Sequence, residues 1–167
     1  MPEFRILPAY EHLQEIKSLL QEYVAVEYTR MLGVDLAFQH IQEELDAPQQ
    51  VYPQAGGGLY LIYWQDEPAG CVAFRRLNDV ACEIKRLYVR KTYRGHRLGE
   101  QALLHVLAAA RQQGYQTAYC DTLTSKTSAI TLYKRLGFTE CEAYYPNPLP
   151  DVLYLKKNLE PSKVNTI

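Results

Sequence analysis

Neither sign of charge dominates this sequence. Its 18 Lys and Arg stand against 19 Asp and Glu, for a net charge of -1 at neutral pH. A dedicated nucleic-acid binder carries a basic excess, so nucleic acid is not an expected partner. No apolar run approaches the ~20 residues needed to cross a bilayer, and no membrane contact is expected. The first residues, MPEFRILPAYEHLQ, lack the charged-then-apolar order of a secretory leader, so the expected location is cytoplasmic. Cys71, Cys82, Cys120 and Cys141 form no CxxC pair. Three of them sit in apolar, strand-like segments, where free thiols pack as small hydrophobes. His12, His40, His96 and His105 lack metal-ligand spacing, and no metal is expected. Internal repeats and linkers are missing too. The 167 residues fit a single domain over 1–160, with 161–167 as a frayed tail.

What is present is an alternation of strand and helix patterns. FRIL (Phe4 to Leu7) reads as a strand. Leu13, Ile16, Leu19, Leu20, Tyr23 and Val24 recur at helical intervals, and VDLAFQHIQEEL is a second, weaker helix. DAPQQVYPQAGGG reads as a loop. LYLIYWQ and AGCVAFRRL should pair as a hairpin across Asp66-Glu67-Pro68, and ACEIKRLYVR follows as a third strand. From Leu98 the pattern is helical up to Gly114. QTAYCDTL is a buried strand, SKTSAITLYKRLGF a short helix, and FTECEAYY and DVLYLKKNL the last two strands. A hairpin meander leading into a β-α-β unit requires a mixed sheet. The expected class is α/β (α+β), with about seven mostly antiparallel strands and about four helices.

One stretch asks for a ligand. YVRKTYRGHRLGEQALLHV places Arg90, Lys91, Arg94 and Arg97, with His96, between a strand and a helix start. The first turn of a helix has unpaired backbone N–H groups and the positive end of the helix dipole. Gly95 and Gly99 let a ligand approach the backbone, and Arg94 and Arg97 offer planar, charged forks to a phosphate. Strand, Gly/Arg turn, helix is the geometry of an anion cradle. There is no GxxxxGK[ST], which rules out a P-loop, and no GxGxxG.

In these residues the chain resembles the GNAT superfamily of N-acetyltransferases, which move an acetyl group from acetyl-CoA to an amine. The family signature, Arg or Gln, two residues, Gly, one residue, then Gly or Ala, reads here Arg94-Gly95-His96-Arg97-Leu98-Gly99. Arg97 stands where the family usually has Gly. The second landmark is Ala129-Ile130-Thr131-Leu132-Tyr133 followed by Gly137-Phe138, with Lys126 where the family often has Asn. The strand EIKRLYV before the signature is the third.

The resemblance implies a GNAT-like domain in which two strands, Cys82–Val89 and Thr117–Thr122, splay apart to take pantetheine. Acetyl-CoA is then the donor substrate. Its pantetheine would meet backbone near Leu87, Tyr88 and Val89, where an N–H polarises the thioester carbonyl. Its diphosphate would lie on Arg94, Gly95, His96, Arg97, Leu98, Gly99 and Glu100, with Lys126 and Tyr133 nearby. Tyr133 occupies the position of the acid that protonates the leaving thiolate. Glu83 and Asp121 both match positions where relatives carry a base, with a water chain as the other choice, and either carboxylate can instead be paired by Lys85, Arg86 or Lys126. The acceptor groove would be formed by the first two helices and the last hairpin, offering Tyr23, Glu27, Tyr28, Tyr144, Tyr145 and Asn147, a set suited to a small cationic amine. The expected reaction is N-acetylation of a primary amine by direct transfer in a ternary complex. The alternatives are an acyl-CoA-binding or sensing module without catalysis, or an enzyme using another acyl-CoA or a protein amine. A homodimer is compatible with the family.

Overall fold

The structure, a computed structural model, describes residues 3–28, 35–147 and 149–160, and of residues 27, 28 and 35–40 only the backbone. Segment 161–167 lies outside the described residues. The chain begins with strand β1 (Phe4–Pro8), helix α1 (Leu13–Tyr28) and helix α2 (Asp35–Asp46). A four-residue helix, α3 (Pro48–Val51), follows inside the segment expected to be a loop. Pro48 accounts for it: its fixed φ suits a first helical position, and the lost N–H is one that no helix pairs. The helix then delivers Tyr52, fully buried, into the core.

Strands β2 (Gly58–Trp64) and β3 (Glu67–Arg76) form the expected hairpin, with a tighter turn than the sequence suggested. Gln65 and Asp66 both adopt positive φ, 48° and 68°, the backbone of a two-residue turn that matches strand twist. Strand β4 (Ala81–Val89) completes the meander, and a single 3-10 turn (Lys91–Tyr93) leads towards α4 (Leu98–Gln112). Then come β5 (Thr117–Leu123), α5 (Thr127–Arg135), β6 (Thr139–Cys141) and β7 (Val152–Asn158). The seven strands make one sheet in the order β1-β2-β3-β4-β5-β7-β6. All pairings are antiparallel except β4 with β5. The mixed sheet is as expected, with five helices among the described residues where about four were counted from the pattern.

Each face of the sheet has its own core. On one, Leu98, Ala102, Leu103, Val106, Leu107 and Ala110 of α4 pack with Tyr133 and Phe138 against Ile62, Phe74, Cys82 and Ile84. On the other, Ile16, Leu19 and Leu20 of α1 pack with Tyr52 against Leu59, Leu61, Cys71 and Ala73. Fully burying a Leu, Val or Ile is worth about 1.5–3 kcal/mol, so these stripes hold the helices to the sheet. Period-2 alternation sends Cys82 and Ile84 to the α4 face, and Glu83 and Lys85 to the α1 face.

Candidate functional site

The site begins where the sheet stops being a sheet. β4 and β5 pair only at Ala81–Thr117, Cys82–Ala118 and Glu83–Tyr119. Beyond them, Ile84–Val89 and Cys120–Leu123 have no ladder pair with each other. The two strand edges therefore present unpaired backbone donors and acceptors to whatever enters between them. On its other side β4 stays paired to β3, with one extra residue between Lys85 and Tyr88. Arg86 is that bulge: its φ is 60°, its carbonyl accepts the Cys71 thiol at 3.3 Å, and its side chain falls on the α1 face with Lys85.

A buried ion pair accompanies the bulge. Arg86 Nε and Nη2 donate to the Glu44 carboxylate of α2 at 2.6 and 3.1 Å, and the Tyr52 hydroxyl donates to Glu44 at 2.7 Å. Burial works against the Arg86 charge, but Tyr52 and Glu44 beside it hold the guanidinium firmly charged. Burial, then the Glu44 carboxylate beside it, push the Tyr52 hydroxyl well above its ordinary range against the opposing pull of Arg86. Sequence reading missed Glu44 and Tyr52. A glutamate on an otherwise amphipathic helix looks solvated, and its partner lies 42 residues away.

The two candidate bases share one cation. Lys85 Nζ lies 3.5 Å from Glu83 and 3.4 Å from Asp121. Glu83 is also bonded by Arg75 Nε at 3.1 Å and by the Tyr144 hydroxyl at 2.7 Å. Asp121 accepts the Tyr145 hydroxyl, which in turn accepts from Asn147 Nδ2 at 2.9 Å. Of the ion-pair partners foreseen for these carboxylates, Lys85 takes both and Arg86 goes instead to Glu44. Burial first, then Glu83 and Asp121, push the Tyr144 hydroxyl far up, so it stays a donor. These bonds explain why β6 ends at Cys141 rather than running on through Tyr145: the chain leaves the sheet to lay Tyr144 and Tyr145 over β4 and β5. Tyr144, Tyr145 and Tyr154 meet edge to face, with Tyr119 tilted against Tyr144 at 5.0 Å.

Across the opening, Tyr23 of α1 meets Tyr88 edge to face at 6.0 Å. The Arg86 guanidinium and the Lys126 ammonium lie 5.4 and 5.5 Å from its ring centre. The side chains of Glu27 and Tyr28 lie outside the described residues. Arg90 clamps Glu22 with Nε and Nη2, tying α1 to the end of β4. Tyr133, on α5, is buried against Phe138. Burial, then Cys120, Tyr23 and Asp121, push its hydroxyl well above the ordinary tyrosine range. Among the described residues nothing is hydrogen-bonded to that hydroxyl.

The basic turn lies at the same end. Gly95 has φ 93° and Arg97 φ 59°, with ψ 25°. Arg97 thus takes the left-handed backbone that a glycine adopts at no steric cost, and it caps α4 with its side chain exposed. Arg94 Nε donates to the Val89 carbonyl at 3.0 Å. Leu98 is buried, Glu100 pairs with Arg135 at 3.5 Å, and a Cβ on Gly99 would touch Leu132 at 3.6 Å. The first amides of α4 have no helical partner, and the turn before them, with Arg94 and Arg97 exposed, follows directly on the end of β4. An elongated ligand with an amide-rich arm and a diphosphate fits these donors: strand edges for the arm, helix start for the charge. Leu87, Tyr88, Val89 and the turn from Arg94 to Glu100 are the residues that would hold it. Among the described residues no cluster of His, Cys, Asp and Glu could hold a metal ion.

Comparison with known proteins agrees with this geometry. The model of the "Acetyltransferase (GNAT) family" matches residues 16–138. A Schizosaccharomyces pombe protein named as an uncharacterized N-acetyltransferase is 36% identical over 155 residues, covering 92% of this chain and 91% of that one. An acetyltransferase structure from Streptococcus agalactiae superposes with a TM-score of 0.76 at 20% identity, covering 95% of this chain and 100% of the other. A GNAT family acetyltransferase from Elizabethkingia anophelis, solved with acetyl-CoA bound, gives 0.67 at 21% identity, covering 95% and 100%.

Proposed function

The chain belongs to the GNAT acetyltransferase family, and from that premise we propose that it transfers the acetyl group of acetyl-CoA to the primary amine of a small molecule, directly, in a ternary complex. The observation that carries the reading is the end of β4–β5 pairing after Glu83–Tyr119. Acetyl-CoA supplies an activated carbonyl and a thiolate leaving group. The β4 edge near Leu87 to Val89 supports a backbone N–H aimed at the carbonyl oxygen, where developing charge is stabilised.

An alkylamine is mostly protonated at neutral pH, so it must lose a proton before its lone pair can form the C–N bond. Glu83 and Asp121 are already bonded to Lys85, Tyr144 and Tyr145. That favours a proton leaving through a water held on this cluster over direct contact with a bare carboxylate. As the C–S bond breaks, Tyr133 gives its proton to the sulfur; its raised proton affinity keeps it in the donor form. The acceptor would rest between Tyr23 and the Tyr144–Tyr145–Asn147 segment. Each carboxylate there has a cation beside it, so the tyrosine rings rather than net negative charge would hold the amine.

The test is thiol release from acetyl-CoA over a panel of amines, with Tyr133→Phe as control. An active wild type whose Tyr133→Phe kcat falls by about 10²–10⁴ is expected. Unchanged turnover in that variant removes Tyr133 from the acid role. CoA binding without turnover on any amine would favour a sensing module instead.

A further inference from the structure

Trp64 stacks on His96 in the middle of the anion cradle, with ring centres 4.1 Å apart and planes 18° from parallel. It is the chain's single tryptophan. We propose that Trp64 is a positioning residue for the diphosphate of acetyl-CoA, acting through His96 to hold the cradle in its binding shape. The inference rests on the acetyltransferase reading above.

Topology brings the pair together. β2 and β4 are both antiparallel to β3, so they run the same way and end on the same side of the sheet. Trp64 is the last residue of β2 and is fixed there by pairing with Phe4 and Glu67. Its side chain packs on the α4-side core. His96 belongs to a turn with little other support. Arg94, Gly95, His96 and Arg97 are all exposed, and Gly95 and Arg97 both need positive φ.

Left alone, such a turn samples many shapes, and a ligand must select one. Two side-chain tethers limit it. Arg94 Nε reaches back to the Val89 carbonyl at the start of the turn, and His96 lies flat on Trp64 near its end. Between them the backbone that presents the first α4 amides is set before ligand arrives. Trp64 is far from the β4–β5 gap in sequence, and the family signature does not include it.

The experiment measures CoA and pantetheine binding by calorimetry for the wild type, Trp64→Leu, His96→Ala and His96→Phe, and by Trp64 emission for the three that keep the tryptophan. Loss of the stack is expected to raise the CoA Kd by about three- to tenfold in Trp64→Leu and His96→Ala, the range of a single aromatic contact. Pantetheine lacks the diphosphate, so the CoA-to-pantetheine affinity ratio should fall by the same factor. His96→Phe keeps a flat ring and should restore most of the CoA affinity. If His96→Phe binds CoA as poorly as His96→Ala, His96 touches the ligand itself and the positioning role is overturned. Equal CoA affinity in all variants overturns it too. His96 is exposed, so its two variants carry the test should Trp64→Leu fail to fold. A wild type that does not bind CoA would overturn the acetyltransferase reading, a result distinct from binding that ignores the stack.

Discussion

Glu44→Gln should destabilise the protein more than any change at its exposed charges. The Glu44 side chain is 5% exposed and that of Arg86 17%. The carboxylate accepts two guanidinium bonds and one from Tyr52. An amide of the same shape keeps part of the hydrogen bonding but leaves the Arg86 charge without its counter-charge. Breaking a buried pair from one side costs about 3–5 kcal/mol. For a chain of this length that corresponds to a fall in Tm of roughly 6–20 °C, at about 2–4 °C per kcal/mol. Against a typical stability of about 5–15 kcal/mol, a fifth or more is lost. Thermal and urea melts followed by circular dichroism read this directly. Arg86→Met in the Glu44→Gln background should recover part of the loss, because removing both charges leaves neither uncompensated. A Glu44→Gln protein within ~1 kcal/mol of wild type, with no coupling to Arg86→Met, would refute the claim that this pair holds α2 to the β4 bulge.

Arg97→Gly should raise stability by about 1 kcal/mol, since a left-handed residue loses its steric penalty, while weakening CoA binding through loss of a guanidinium; melts and CoA titrations on one variant separate the two signs. Gly70→Ala should distort the site end of β4, because a Cβ there would lie 2.2 Å from the Tyr88 carbonyl oxygen; a raised KM for acetyl-CoA together with a lowered Tm is the expected pair of readings. Alkali should unfold the chain early. Burial pushes Cys71 and Cys82 up to about 12 from 9, so the unfolded chain releases protons first. The stability they contribute is full below pH 9 and is lost as pH rises towards 12, by about 1.4 kcal/mol per group for each unit. Replacing both thiols with alanine should flatten that slope in melts between pH 8 and 11.

The fold was largely legible because its signals are local. The α4 stripe from Leu98 to Ala110 and the strand–turn–helix around Arg94 can be read within a dozen residues, and their geometry follows. The site's electrostatics were not, because they join distant segments. Glu44 to Arg86 and Tyr144 to Glu83 span 42 and 61 residues. Periodicity says which side of an element a residue takes, not which charge waits opposite. Tyr144 and Tyr145 continued the strand pattern of β6, and long-range hydroxyl–carboxylate bonds outweighed it. Arg97 shows a third kind of limit: a glycine-shaped conformation can be held by an arginine when the surrounding turn fixes it.

The β4–β5 junction has a mechanical consequence. The sheet is two plates, β1 to β4 and β5 with β7 and β6, riveted by three residue pairs at one end. Beyond the rivets no backbone ladder sets the opening angle, and side chains such as Lys85, which reaches Asp121 at 3.4 Å, are what cross it. A rod-shaped ligand that bonds both edges would act as a missing strand, locking the angle and sharing strain between the halves. Amide exchange along Ile84–Val89 and Cys120–Leu123 should then slow together when CoA binds, while amides at the three riveted pairs change little.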